Sequence, residues 1–161
     1  MKNTTIDGFS VGVYLSATGA EQATLLNSTV ANATGYGVYI DSGDAVVRNM
    51  ILTGTSCGLL RLAGTTTHTN NLLYGFSTPF SGTSADATEV LKDPKFVDAA
   101  NGDFHLSIAS PAINAGLDVG SLVVTDMESN ARPSYNAYEM GAYEYMSASG
   151  SFRVLDWTEK R

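Results

Sequence analysis

A short pattern recurs four times along the first half of the chain: Asn3-Thr4-Thr5-Ile6, Asn27-Ser28-Thr29-Val30, Asn49-Met50-Ile51-Leu52 and Asn71-Leu72-Leu73-Tyr74. The asparagines lie 24, 22 and 22 residues apart. A second register follows the first three copies, as Val13-Tyr14-Leu15, Val38-Tyr39-Ile40 and Leu60-Arg61-Leu62. The outer residues of each triplet are apolar and the middle one varies, the period-2 signature of a strand with one buried face. Glycines at 8, 35, 37, 54, 58 and 75 punctuate the two registers. A repeat of about 22 residues carrying two or three short strands corresponds to one turn of a parallel β-helix.

Stacking constrains what the repeated residues can do. Equivalent positions on successive turns lie about 4.8 Å apart. Amides at one corner can then hydrogen-bond along the stack, and asparagine tolerates the left-handed backbone that a sharp corner demands. Asn3, Asn27, Asn49 and Asn71 are therefore expected to form a structural asparagine ladder. The middle residues Tyr14, Tyr39 and Arg61 are expected to form an outward column. Such a column suits sugar rings, whose C–H faces pack on aromatic planes, with a guanidinium as donor.

The rest of the chain bounds the alternatives. Its 161 residues suit one domain, spanning 1–161, with repeat coils and a loop over 1–92. Hydrophobic content of 43% with 16% charged residues excludes a disordered chain. Net charge of −7 argues against nucleic acid, which calls for clustered Lys and Arg. It also disfavours a polyanionic sugar unless calcium bridges the two. No apolar run approaches the roughly 20 residues of a membrane span. The lone cysteine, Cys57, reads as a small buried hydrophobe. Past Tyr74 the repeat blurs, and Phe76 to Ala87, rich in Ser, Thr and Gly, reads as a loop.

A second set of motifs follows. Asp93-Pro94-Lys95-Phe96-Val97-Asp98 leads to Asn101-Gly102-Asp103-Phe104-His105-Leu106 and Ser110-Pro111-Ala112-Ile113-Asn114-Ala115-Gly116. The series closes with Asp126-Met127-Glu128-Ser129-Asn130-Ala131-Arg132-Pro133 and Glu139-Met140-Gly141-Ala142-Tyr143-Glu144-Tyr145. In its order it resembles the C-terminal segment of right-handed parallel β-helix proteins of the pectate-lyase-like superfamily, in particular the choice-of-anchor Q domain proteins. The resemblance implies an all-β, right-handed parallel β-helix of about five to six short coils. Residues 93–145 would supply its last coils and closing segment, with Phe96, Phe104, Leu106, Ile113 and Tyr143 continuing the same core. Ser129 stands where the related motif carries glycine, at a turn that calls for φ > 0. The tail, 146–161, lies outside the resemblance, and Ser151–Trp157 reads as one extra strand.

No catalytic set emerges. Lyases on this scaffold pair a base with a group that neutralises the sugar carboxylate, yet the repeats offer only Arg48 and Arg61 after Lys2. Hydrolases use two placed carboxylates, whereas Asp41-Ser42-Gly43-Asp44 has the composition of an ordinary turn. Asp98, Asn101 and Asp103 could offer oxygen to calcium but miss the spacing of a recognised loop. His68 and His105 have no companions for a zinc site, so no metal or cofactor is expected.

Three readings stay open. One is a non-catalytic β-helix module with carbohydrate binding and self-association. Another is a small polysaccharide lyase or glycoside hydrolase. The third is a stand-alone C-terminal fragment of a larger β-helix protein. Since the repeat begins at Asn3, no N-terminal plug is evident, and homo-oligomerisation through the N-terminal coils, near Phe9, Val11 and Tyr14, is expected to cover them. Relatives of this kind are often exported, but residues 1–5 do not form a signal peptide, and the compartment stays open.

Overall fold

Three strands fill each turn of the repeat. The computed structural model describes residues 1–17, 19, 21–134 and 136–146. The first turn carries β1 (Thr5–Asp7), β2 (Val11–Ser16) and β3 (Gln22–Leu26). The second carries β4 (Thr29–Ala33), β5 (Tyr36–Ser42) and β6 (Asp44–Arg48), and the third β7 (Ile51–Gly54), β8 (Cys57–Arg61) and β9 (Thr66–Thr69). A fourth begins with β10 (Leu72–Tyr74) and β11 (Thr78–Ser81). Each strand pairs in parallel with its counterpart one turn on, giving sheets β1-β4-β7-β10, β2-β5-β8-β11 and β3-β6-β9. The chain is thus a parallel β-solenoid of about three turns. The expected five to six coils are too many, because residues beyond 93 add no further turn. The expected loop after Phe76 is also partly strand, since β11 pairs with β8.

Alternation decides what enters the core. Val30, Leu52 and Leu73 project inward from the first sheet, Val38, Ile40 and Leu59 from the second, and Leu25, Ala45 and Val47 from the third. Gly12, Gly37 and Gly58 stack on the second sheet because the sheets approach too closely for a side chain there. A Cβ on Gly58 would lie 2.5 Å from Leu73 and 3.1 Å from Phe76. Phe76 is itself a core residue, not a loop residue.

At its last rung the core turns polar. Val47 stands opposite His68 and Ile40 opposite Arg61, so two apolar columns end in groups that can face water. Arg61 donates through Nη1 to Gly64 O at 2.7 Å and through Nε to Gly82 O at 2.9 Å. This corrects the expected outward column: Leu60, not Arg61, stands opposite Tyr39. Leu62, expected inward, is exposed. The cause is turn length, for Tyr39 and Leu60 are 21 residues apart.

The same shortening affects the asparagine corner. Asn3, Asn27, Asn49 and Asn70 take left-handed backbone, with φ of 45°, 43°, 54° and 54°. Asn70, rather than Asn71, fills the fourth corner, because Ile51 pairs with Leu72. Asn71 is still buried, accepting from Met50 N–H at 2.9 Å and donating to Val47 O at 2.9 Å. Asn49 Nδ2 donates to Asn27 Oδ1 at 3.3 Å. The main partners of the corner amides, however, lie outside the stack. Asn70 donates to Ala115 O, Asn49 to Leu117 O, Asn27 to Glu139 O and Asn3 to Thr125 O.

Those carbonyls show what residues 93–145 do. They do not extend the coil, as expected, but cover its flank. β12 (Phe96–Asp98) and β13 (Asp103–Leu106) form an antiparallel hairpin around Gly102, whose φ is +79°. Residues 112–145 then run along the outer face of the first sheet. Outward Ile51 and Leu72 pack there with Leu106, Ala112 and Met140, a second core separate from the interior one. Phe96 and Ile113 join this second core, so the expected continuation of a single core is corrected as well. Ser129 adopts φ 73° after all. Asp126 Oδ1 holds its loop by accepting from Glu128 and Asn130 N–H, each at 2.8 Å. The strand expected at Ser151–Trp157 lies outside the described residues.

Replacing Asn49 with alanine removes both bonds to Leu117, donated at 2.8 Å and accepted at 2.7 Å. The expected loss is about 1–3 kcal/mol in urea unfolding, through unpaired buried groups. Asn49→Gly keeps the left-handed corner available and should isolate the hydrogen-bond share of that loss.

Candidate functional site

Where the hairpin overhangs the first sheet it encloses a cleft of about 510 Å³. One wall is built from the C-terminal ends of successive strands: Asn32 and Thr34, then Thr53 and Thr55, then Tyr74. The opposite wall is Asp93 to Phe96, with Ala99. Parallel stacking puts the hydroxyls in rows, and several are already oriented. Thr53 Oγ1 accepts from Asn32 N–H at 3.1 Å, Thr55 Oγ1 donates to Thr34 O at 2.9 Å, and Asn32 Nδ2 donates to Asp7 at 2.8 Å. Asn32 bulges out of β4 with φ 54°, which turns its side chain to this face. Tyr74 is 46% exposed.

The cleft's charges are paired with each other. Lys95 Nζ lies 2.9 Å from Asp93 Oδ2, and the Lys95 N–H donates to Asp93 Oδ1 at 2.8 Å. Those hydrogen bonds hold the Asp93 carboxyl below its usual range and raise the Lys95 ammonium above its own. Asp93 is the single carboxylate among the lining residues, so the two-carboxylate set of a glycoside hydrolase is not assembled here.

The tyrosine face is a different surface. Tyr14 and Tyr39 are in register on the second sheet, but their rings meet edge to face at 89° with centroids 5.2 Å apart. Tyr36 packs on Tyr39 from the other side at 5.0 Å. Burial, and then the negative Asp41, raise the Tyr39 phenol. Arg61 is tied to the two carbonyls described above. The structure therefore brings Tyr14 and Tyr39 together and leaves Arg61 out, and perpendicular rings offer no common plane for a sugar.

The acidic residues weighed as oxygen ligands are also placed. Asn101 Nδ2 donates to Asp98 Oδ2 at 2.7 Å, and Asp103 Oδ1 lies 2.6 Å from His105 Nδ1. His105 meets Glu128 at 3.2 Å on its other nitrogen and packs on Tyr143. Among the described residues no group of three or more His, Cys, Asp or Glu side chains converges as a metal site would require.

The motifs at 126–132 and 139–145 build an ionic knot instead. Arg132 Nη1 lies 2.6 Å from Glu144 Oε1, with both side chains fully buried. Arg132 also donates to Gly141 O at 2.8 Å, and Glu144 Oε2 accepts from Ser134 N–H at 2.8 Å. Beside this pair Glu139 is wholly buried, and neither of its carboxyl oxygens has a hydrogen-bond partner. Burial, followed by the neighbouring Glu144, pushes the Glu139 carboxyl up to about 8.

Tyr74 and the threonine rows escaped the sequence reading, although a signal for them exists. Carrying the first repeat one residue further aligns Thr53 with Tyr74. No family model, curated protein or solved structure matches this chain.

Proposed function

We propose that the chain is a non-catalytic β-solenoid module that binds a neutral saccharide in the cleft between the first sheet and the hairpin. The observation that carries this reading is the placement of exposed Tyr74 beside Thr53, Thr55 and Asn32. An aromatic plane takes the apolar face of a sugar, and hydroxyl and amide groups take its edge. Lys95 is engaged by Asp93 and the chain carries a net charge of −7, so an uncharged ligand is favoured over a uronate polymer.

The resemblance to choice-of-anchor Q proteins of the pectate-lyase-like superfamily belongs to the same reading, supported by the order of the motifs from Asp93 to Tyr145. Self-association belongs to it too. Strands β1, β2 and β3 are edge strands of their sheets, with Ile6, Val13 and Leu15 only half-buried beside them. An open edge of this kind can pair with a second copy. A dimer or larger closed assembly is expected in light scattering at micromolar concentration, and a strict monomer removes that part.

Glycan-array screening followed by calorimetry tests the saccharide reading. Binding to at least one neutral oligosaccharide is expected, and Tyr74→Ala should weaken it about tenfold. If no neutral glycan binds, or if Tyr74→Ala leaves affinity unchanged, the cleft is not the site.

A further inference from the structure

A hydrogen-bonded chain of carboxylate, imidazole and hydroxyl closes the last turn of the solenoid, away from the saccharide cleft. His68 Nδ1 is 2.9 Å from Glu89 Oε1, and His68 Nε2 is 2.9 Å from Thr83 Oγ1. The imidazole and carboxylate side chains are 5% and 1% exposed. Phe80 stacks on the imidazole with ring planes 20° apart, which fixes its rotation. Asn71 fixes the carboxylate, donating from its backbone N–H to Oε2 at 3.0 Å and from Nδ2 to Oε1 at 3.1 Å. A carboxylate only accepts, so the proton sits on Nδ1 and Nε2 is the basic nitrogen facing Thr83.

Closing the core requires a polar group at this rung, and His68 meets that need. It does not require a second hydrogen bond in which Nε2 faces a hydroxyl. That arrangement is the one that activates an oxygen nucleophile, with a base oriented by a third group. Thr83 is half-buried, within reach of solvent. His68 also lines an open recess of about 300 Å³ bounded by Thr66, Thr67, Ser84 and Asp86. The acidic Asp86 at its edge disfavours an anionic acyl group.

We infer that Thr83 is a nucleophile toward small neutral carboxylic esters, with His68 as general base and Glu89 as a positioning residue. Thr83 Oγ1 attacks the ester carbonyl carbon as its proton passes to His68 Nε2. The tetrahedral adduct collapses, the bond from carbon to the alcohol oxygen breaks, and the proton on Nε2 goes to the departing alkoxide. Water then attacks the Thr83 ester by the same route, releasing the acid and restoring the hydroxyl. This inference does not rest on the saccharide reading, and either can fail alone.

Incubation with p-nitrophenyl acetate, followed by nitrophenolate release and peptide mass mapping, tests it. One acetyl group is expected on Thr83, with a burst of nitrophenolate of matching size. Thr83→Val, similar in shape and therefore expected to fold, should abolish both, whereas Thr83→Ser should retain them. Glu89→Gln, if its melt stays cooperative, should slow acetylation by about tenfold or more without moving the label. Acetyl confined to lysine amines, the N-terminus or His68 would overturn the assignment. So would an undiminished burst in Thr83→Val.

Discussion

Replacing Arg132 with alanine is expected to lower stability by about 3–5 kcal/mol, the cost of leaving a buried carboxylate unpaired. The guanidinium holds three parts of the flank segment at once. It meets Glu144 at 2.6 Å, Gly141 O at 2.8 Å and Glu139 O at 3.3 Å. Its removal strands Glu144, whose remaining partners, Ser134 and Glu139 N–H, are neutral backbone donors. Arg132→Lys should recover little, since an ammonium cannot span a carboxylate and two carbonyls in one plane. Guanidinium unfolding monitored by circular dichroism measures the difference. A loss below about 1 kcal/mol would show that the knot is dispensable.

Stability is also expected to fall as pH rises from 4.5 to about 8, the interval over which Glu139 is neutral when folded but ionised when unfolded. The sign follows from proton counting. Within that interval the folded chain binds one more proton at Glu139, so raising pH favours the unfolded state. The contribution is fully present below 4.5 and gone above about 8, and its size is on the order of several kcal/mol. Glu144, Arg132 and Asp126 surround the site, and the Asp126 carboxyl is held low by hydrogen bonds from Asn130, Glu144 and Glu128 that outweigh its burial. Glu139→Gln should flatten the pH profile and make the protein more stable than the parent at pH 8. An unchanged slope in the glutamine variant would mean that the carboxyl finds a partner when it ionises.

The sheets were legible in the sequence because their signal is redundant. Period-2 alternation within a triplet and near-constant spacing between triplets both point to stacked parallel strands. Register was less legible, because spacing is not constant. Thr29 lies opposite Ile51, 22 residues on, whereas Ile51 lies opposite Leu72, only 21 on. A fixed period therefore runs one residue late by the fourth corner, and with period-2 side chains one residue reverses a face. Arg61 and Asn71 were misplaced for that reason. The third sheet went unnoticed because Gln22–Leu26, Asp44–Arg48 and Thr66–Thr69 share no residue type at any one position. Half of the cleft was beyond reach as well. Its second wall arrives only when the hairpin folds against the flank, which no local pattern encodes.

The flank segment changes what kind of solenoid this is. Stacked repeats ordinarily behave as a row of neighbours, each turn answering only to the next, so turns can be added or dropped. Here Asn27 and Asn3 bond to residues 112 and 122 positions away in the chain. The backbone run from Ala115 to Thr125 passes one corner amide after another. An extra turn would displace every amide beyond it by about 4.8 Å, farther than a hydrogen bond can follow. The chain thus carries its own yardstick: the covalent length of the flank segment fixes how many turns can be stacked beneath it.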